Sequence, residues 1–186
     1  MKKILLVIIC LFSLCGCDRR FREVSTGNAT SYILIEQSTN KILEGNNYYQ
    51  SRSVASISKI MTAIVVLENT NIQKEVVVTN DIKNVDGSSI YLKEGQKIKV
   101  IDLLYGLLLR SGNDAAVMLA IATCGSIVNF VEKMNDKANE LNMKYSYFSN
   151  PHGLDEQDNG NLSCAYDMAI LYSYCMENEI FKKIPA

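Results

Sequence analysis

The chain has 186 residues, 48% of them hydrophobic, with 19 basic against 20 acidic side chains. That is about one domain's length, and the composition is globular rather than disordered. A formal net charge of −1 gives no electrostatic reason to expect a nucleic-acid partner.

The first residues read as a targeting segment. Lys2 and Lys3 precede an apolar run over 4–14, which has the length of a secretory signal core and is short for a membrane span. Leu14-Cys15-Gly16-Cys17 follows and resembles a bacterial lipobox. The resemblance implies a signal peptide over 1–16 and lipidation at Cys17, with a polar tether over 17–30. Cys15 is unusual at the second lipobox position, so ordinary cleavage and an uncleaved anchor stay open. Either way the chain is expected outside the cytoplasm, membrane-anchored or secreted. Cys10, Cys15 and Cys17 belong to this segment. Cys124, Cys164 and Cys175 have no metal-ligand spacing and read as small semi-buried side chains, with one disulfide among them left open. A single histidine, His152, argues against a His-rich metal site and a Ser–His–Asp triad.

Residues 31–36 are strand formers, 37–40 a turn cluster and 41–44 extended, which predicts a β-hairpin. A helix is expected from Ser56 to about residue 69. A short strand follows over 75–79, then turns at 86–89 and 93–96 and an extended piece over 97–100. Residues 101–110 are apolar nearly all round, which predicts a helix buried at the centre of a helical layer. Gly112 is the expected hinge into a second apolar helix over 114–123. Ser126 is expected to cap a third helix, in which Ile127, Phe130, Val131, Met134, Ala138 and Leu141 recur at helical spacing. A turn-rich loop spans 149–154, and Ser163 is expected to cap a last helix ending at Cys175. A hairpin followed mainly by helices predicts an α+β (mixed α/β) fold, with a helical layer against one face of a sheet.

Two polar clusters interrupt this apolar text. Ser56 and Lys59 are three apart, so at a helix start they lie on one face, one turn apart. A serine hydroxyl needs a neighbouring base to act as a nucleophile, and a buried lysine can be that base because desolvation disfavours its ammonium form. Alone, Ser-x-x-Lys more often means a helix cap and a surface lysine. Ser111-Gly112-Asn113 lies at the break between two apolar helices, where a serine and an asparagine can point into a cleft. Alone it reads better as capping chemistry.

Together the clusters and their surroundings are specific. Ala55-Ser56-Ile57-Ser58-Lys59-Ile60-Met61-Thr62-Ala63, Gly87-Ser88-Ser89-Ile90-Tyr91-Leu92, the segment 102–116 around Ser111-Gly112-Asn113, and Asn150-Pro151-His152-Gly153-Leu154 occur in order. They resemble the serine D-alanyl-D-alanine carboxypeptidases, the low-molecular-mass penicillin-binding proteins of peptidase family S11. The resemblance implies a DD-peptidase/β-lactamase-like domain over 31–186, and Ser56 as the nucleophile that forms an acyl-enzyme with the penultimate D-Ala of a peptidoglycan stem peptide. It implies Lys59 as general base, Ser111 as a proton relay to the leaving D-Ala, and Asn113 as a substrate-binding group that helps to position Lys59. It implies acylation by β-lactams, no metal or organic cofactor, and a structural rather than catalytic His152. Ser58 is expected to face away from the site.

The family's third motif, Lys-Thr-Gly, does not occur. The resemblance therefore predicts a chain truncated before the strand that binds the substrate carboxylate, or completed by a separate polypeptide, and with little activity of its own. Two other functions compete. A β-lactamase would need a deacylating base, and Glu140-Leu141-Asn142 superficially resembles the element that supplies one. A non-catalytic lipoprotein that binds peptidoglycan or β-lactams would need no base.

Overall fold

The computed structural model describes residues 29–155 and 160–184. The signal segment, Cys17 and all but the last two residues of the tether lie outside them. β1 (Tyr32–Glu36) and β2 (Lys41–Asn46) form the expected hairpin, from Tyr32 opposite Asn46 to Glu36 opposite Lys41, with a register shift between Leu34 and Ile35. The Glu36 carboxylate closes the turn by accepting from the Ser38 hydroxyl at 2.6 Å and the Thr39 N–H at 3.0 Å. The Ser38 and Thr39 side chains push its carboxyl down to about 2.

β3 (Arg52–Ser53) leads into a 3-10 turn over Ala55–Ser58, which runs directly into α1 (Lys59–Asn69). Next come β4 (Glu75–Val77) and β5 (Lys97–Lys99), paired antiparallel, then α2 (Val100–Arg110), α3 (Asn113–Cys124) and α4 (Ile127–Glu140). β6 (Leu162–Ser163) pairs with β3, and α5 (Ala165–Cys175) and α6 (Glu179–Lys183) follow. The fold is mixed helix and sheet, as the sequence predicts, but the strands among the described residues form three separate two-stranded pairs.

α1 is the hub. Every residue from Met61 to Val66 is buried, and the helix touches α2, α3, α4, α5 and α6. A run so uniformly apolar can be satisfied only by neighbours on all sides. α3 shares this position, with Asn113 to Ala120 buried without interruption. The expectation that 101–110 forms the central helix is therefore corrected. α2 buries Leu103, Leu104 and Leu107 but leaves Leu109 55% exposed. The alanines of α3 let its neighbours approach closely on every side, whereas the bulky leucines of α2 fill one face only.

Three other expectations change in detail. The left-handed residue between α2 and α3 is Ser111 (φ 56°), not Gly112. Gly112 is small for a different reason: a Cβ there would stand 3.1 Å from both the Asp114 carboxylate and Ile90. The cap of α5 is Cys164, whose sulfur accepts from the Asp167 N–H at 3.4 Å, while Ser163 is taken up in β6. α6, capped by Asn178, and the β3–β6 pair were not foreseen. Ser126 caps α4 as expected, its Oγ accepting from the Asn129 N–H. Cys124, Cys164 and Cys175 are all free thiols, so the possible disulfide among them does not form. Burial pushes the Cys175 thiol up to about 12.

Candidate active site

The 3-10 turn presents Ser56 one turn ahead of Lys59, the first residue of the hub helix. The Lys59 Nζ lies 3.1 Å from the Ser56 Oγ and 2.6 Å from the His152 carbonyl oxygen. Lys59 is only 2% exposed, and burial alone pulls its pKa down to about 8. A lysine near 8 carries an appreciable neutral fraction at physiological pH, and its lone pair can then accept the Ser56 proton. The His152 carbonyl takes one amine N–H and so turns the lone pair toward the serine. At the start of a helical turn, the Ser56 N–H is among those left without an intrahelical carbonyl.

Ser56 and Ile57 stand between two cavities. One, of about 310 Å³, is lined by Ser56, Lys59, Leu107 and Ser111 among others. The larger, of about 560 Å³, runs from Ser56 past Ser53 and Arg52 to Cys164. Ser111 thus shares a cavity with the serine–lysine pair. Its left-handed backbone is held by its own N–H and that of Gly112, both donating to the Gly106 carbonyl. Asn113 is 3% exposed, does not line that cavity, and donates from Nδ2 to the Asp86 carbonyl at 2.7 Å. Its backbone N–H reaches the Ser88 carbonyl at 2.7 Å. In this arrangement it fixes the 86–88 loop rather than Lys59.

The parts that Thr62, Gly153, Asn161 and Asp114 play in building the site were not singled out from the sequence. The 150–153 loop is pinned to α1 at three points. Pro151 accepts from the Thr62 hydroxyl at 2.7 Å, His152 accepts from Lys59, and Gly153 packs on the Ala55 carbonyl. Within the loop, the Asn150 Oδ1 accepts from the Gly153 N–H at 2.6 Å and the His152 N–H at 3.2 Å. Asn161, fully buried, locks the whole: its Oδ1 accepts from the backbones of Ser149 and Asn150, its Nδ2 donates to the Asn150 carbonyl, and its own carbonyl accepts from the Val54 N–H. Asp114 does the same for the 89–92 loop, accepting from the Ser89 hydroxyl and the Ile90 and Leu92 N–H groups. Burial raises the Asp114 carboxyl pKa, but these donors outweigh it and leave the group below its ordinary value. Ser58 donates to the Ala55 carbonyl at 2.8 Å, is fully buried and lines neither cavity at Ser56, in keeping with the expectation that it faces away from the site. His152 accepts the Leu154 N–H on its Nδ1.

A serine beside a buried lysine, with a second serine across the cavity, defines a Ser–Lys acyl-transfer constellation on a mixed α/β scaffold. The comparisons with known proteins agree. Residues 20–184 match the D-alanyl-D-alanine carboxypeptidase family, Peptidase_S11. The chain is 38% identical over 160 residues to D-alanyl-D-alanine carboxypeptidase DacF of Bacillus subtilis, covering 83% of this chain and 41% of that one. It is 39% identical over 155 residues to DacD of Escherichia coli, covering 77% and 39%. Penicillin binding protein 6B from Escherichia coli superposes with a TM-score of 0.81 at 34% identity, over 89% of this chain and 56% of that one. A D-alanyl-D-alanine carboxypeptidase from Mycobacterium tuberculosis does so with 0.83 at 28% identity, over 89% and 62%. The chain belongs to the S11 D-alanyl-D-alanine carboxypeptidase family. It spans about two fifths of the length of these two curated relatives.

Proposed function

We propose that this chain carries the acylating half of a serine-type D-alanyl-D-alanine carboxypeptidase that acts on peptidoglycan stem peptides. Neutral Lys59 takes the Ser56 proton as Oγ attacks the penultimate D-Ala carbonyl. The Ser56 N–H supports the tetrahedral oxyanion, a contribution worth a factor of ~10²–10³ per donor. Ser111 passes a proton to the departing D-Ala amine, and water then releases the acyl group. Asn113 supports the substrate side of the site indirectly, by fixing the 86–88 loop behind Ser111. β-Lactams, which present a reactive amide in place of that carbonyl, acylate the same oxygen.

The observation that carries this reading is the buried Lys59 Nζ, 3.1 Å from the Ser56 Oγ and held by the His152 carbonyl. Glu140 lends the β-lactamase reading no support, because its carboxylate is paired with Lys137 at 2.6 Å on the outer end of α4. Residues 1–16 are proposed as a signal peptide and Cys17 as a lipid attachment site, which puts the 31–186 domain outside the cytoplasm on a membrane. The test is incubation of the purified chain with a fluorescent penicillin, followed by peptide mapping. A stable adduct on Ser56, absent in Ser56→Ala, is the expected outcome; a folded chain that takes no label would sink the proposal.

A further inference from the structure

Four tyrosine rings gather around Tyr49, next in the chain to Gln50 of the larger cavity, and nothing in the acylation chemistry uses them. Tyr49 is the centre: its ring lies 4.6 Å from Tyr48, 5.4 Å from Tyr145 and 5.1 Å from Tyr166, centroid to centroid. Aromatic clusters are commonly satellite packing under a loop. This one stays open, with Tyr49 43% and Tyr145 45% exposed. Backbone bonds set the rings in place. The Tyr166 N–H donates to the Tyr48 carbonyl at 3.0 Å, and the Ser51 hydroxyl donates to the Tyr145 carbonyl at 3.1 Å.

Such a platform has a particular chemistry. Its ring faces are apolar and electron-rich, which suits the C–H faces of a sugar, while phenol hydroxyls at the ring edges suit sugar hydroxyls. Gln50 and Arg52 add donors and acceptors and themselves line the cavity that reaches Ser56. Tyr49 precedes Ser56 by seven residues, so the two are at most about 25 Å apart. A stem peptide of five residues, fully extended, spans roughly 17 Å. Gln50, next in the chain to Tyr49, lines the same cavity as Ser56, so a ligand whose peptide end lies at Ser56 leaves that cavity beside Tyr49.

We propose that the Tyr48–Tyr49–Tyr145–Tyr166 platform is a saccharide-binding subsite that holds the glycan portion of the substrate beside the acylation site. The subsite rests on the carboxypeptidase reading for its biological ligand, but its own binding is measurable separately. The chain contains 10 tyrosines and no tryptophan, so intrinsic tyrosine emission reports on it directly. The full chain is titrated with the β-1,4-linked tetramer of N-acetylglucosamine, following emission and the ring resonances of ¹³C-labelled tyrosine. Saturable binding is expected, with shifts at Tyr49, Tyr145 and Tyr166 and at least tenfold weaker binding in Tyr49→Ala and in Tyr145→Ala. The ring shifts in the unsubstituted chain decide the matter if a variant fails to fold. No saturable response, shifts at other tyrosines only, or unchanged affinity in both folded variants would overturn it. So would partition of these rings into anionic phospholipid vesicles with no response to the saccharide, which marks a membrane-facing surface. Penicillin acylation of the same preparation separates the two claims. Labelling of Ser56 without saccharide binding sinks the platform alone, whereas saccharide binding without labelling sinks the carboxypeptidase reading and leaves the subsite standing.

Discussion

At Lys59 the balance of two effects is explicit. Its pKa falls from 10.5 to about 8 because the side chain is buried, so the folded state holds this proton less tightly than the unfolded chain does. Between pH 8 and 10.5 the unfolded state binds more protons, and stability rises with pH through that window. Below pH 8 both states are protonated, and the buried ammonium costs about 3 kcal/mol relative to the alkaline limit. Lys59→Met removes that cost but strips the His152 carbonyl of a donor, which costs about 1–3 kcal/mol. The two nearly cancel. Chemical denaturation of Lys59→Met at pH 7 should give a stability within about 2 kcal/mol of the parent, with loss of the pH 8–10.5 rise. A loss well beyond 3 kcal/mol would mean that the lysine is structural first. Ser56 and Lys59 were legible in the sequence because three-residue spacing puts them on one helical face and three further motifs accompany them in order. The 2.6 Å bond from Lys59 to His152 was not, since it joins residues 93 apart.

Among the elements, the 150–153 loop shows how backbone chemistry fixes the pair. Gly153 has φ +88°, and a Cβ there would fall 2.0 Å from the Ala55 carbonyl oxygen, one residue before Ser56. Gly153→Ala must displace either the loop or the nucleophile turn. Penicillin acylation should fall by roughly two orders of magnitude, the scale expected for an ångström-level misplacement. Ordinary labelling by this variant would separate the loop from the site. Asn161→Ala leaves the Ser149 and Asn150 N–H groups and the Asn150 carbonyl short of partners. It should lower stability by about 3 kcal/mol or more, read from a urea transition. The long helices were legible from apolar periodicity, as was the hairpin from its turn cluster. The β3–β6 pair was not, because two residues on each side leave no periodic signal and their pairing spans more than 100 positions. At the α2–α3 break, Gly112 drew attention as the flexible residue, yet Ser111 takes the left-handed conformation while Gly112 admits a close contact. Sequence alone does not separate those two uses of a small residue.

Across the whole molecule, one charged cluster links the hub to the outer helices. Lys137 lies 2.8 Å from Glu68 and 2.6 Å from Glu140, and 5.1 Å above the Tyr174 ring, while the Tyr174 hydroxyl donates to Glu68 at 2.6 Å. The lysine is only 11% exposed, so the pairing is less screened than a surface one. Lys137→Met should cost about 2 kcal/mol and lower the Tm by roughly 4–8 °C. An unchanged melt would show that the helices hold by apolar contact alone. The family was legible because four motifs stand in order, and the helical scaffold brings Ser56, Lys59 and Ser111 around one cavity. The central claim is that neutral Lys59 activates Ser56, and the most direct test is the rate of penicillin acylation of Ser56 as a function of pH. Acylation should rise close to tenfold per pH unit up to about 8 and then level, and should vanish in Lys59→Met and Ser56→Ala. A rate independent of pH between 6 and 9, or persistence of the adduct in folded Lys59→Met, would contradict the account.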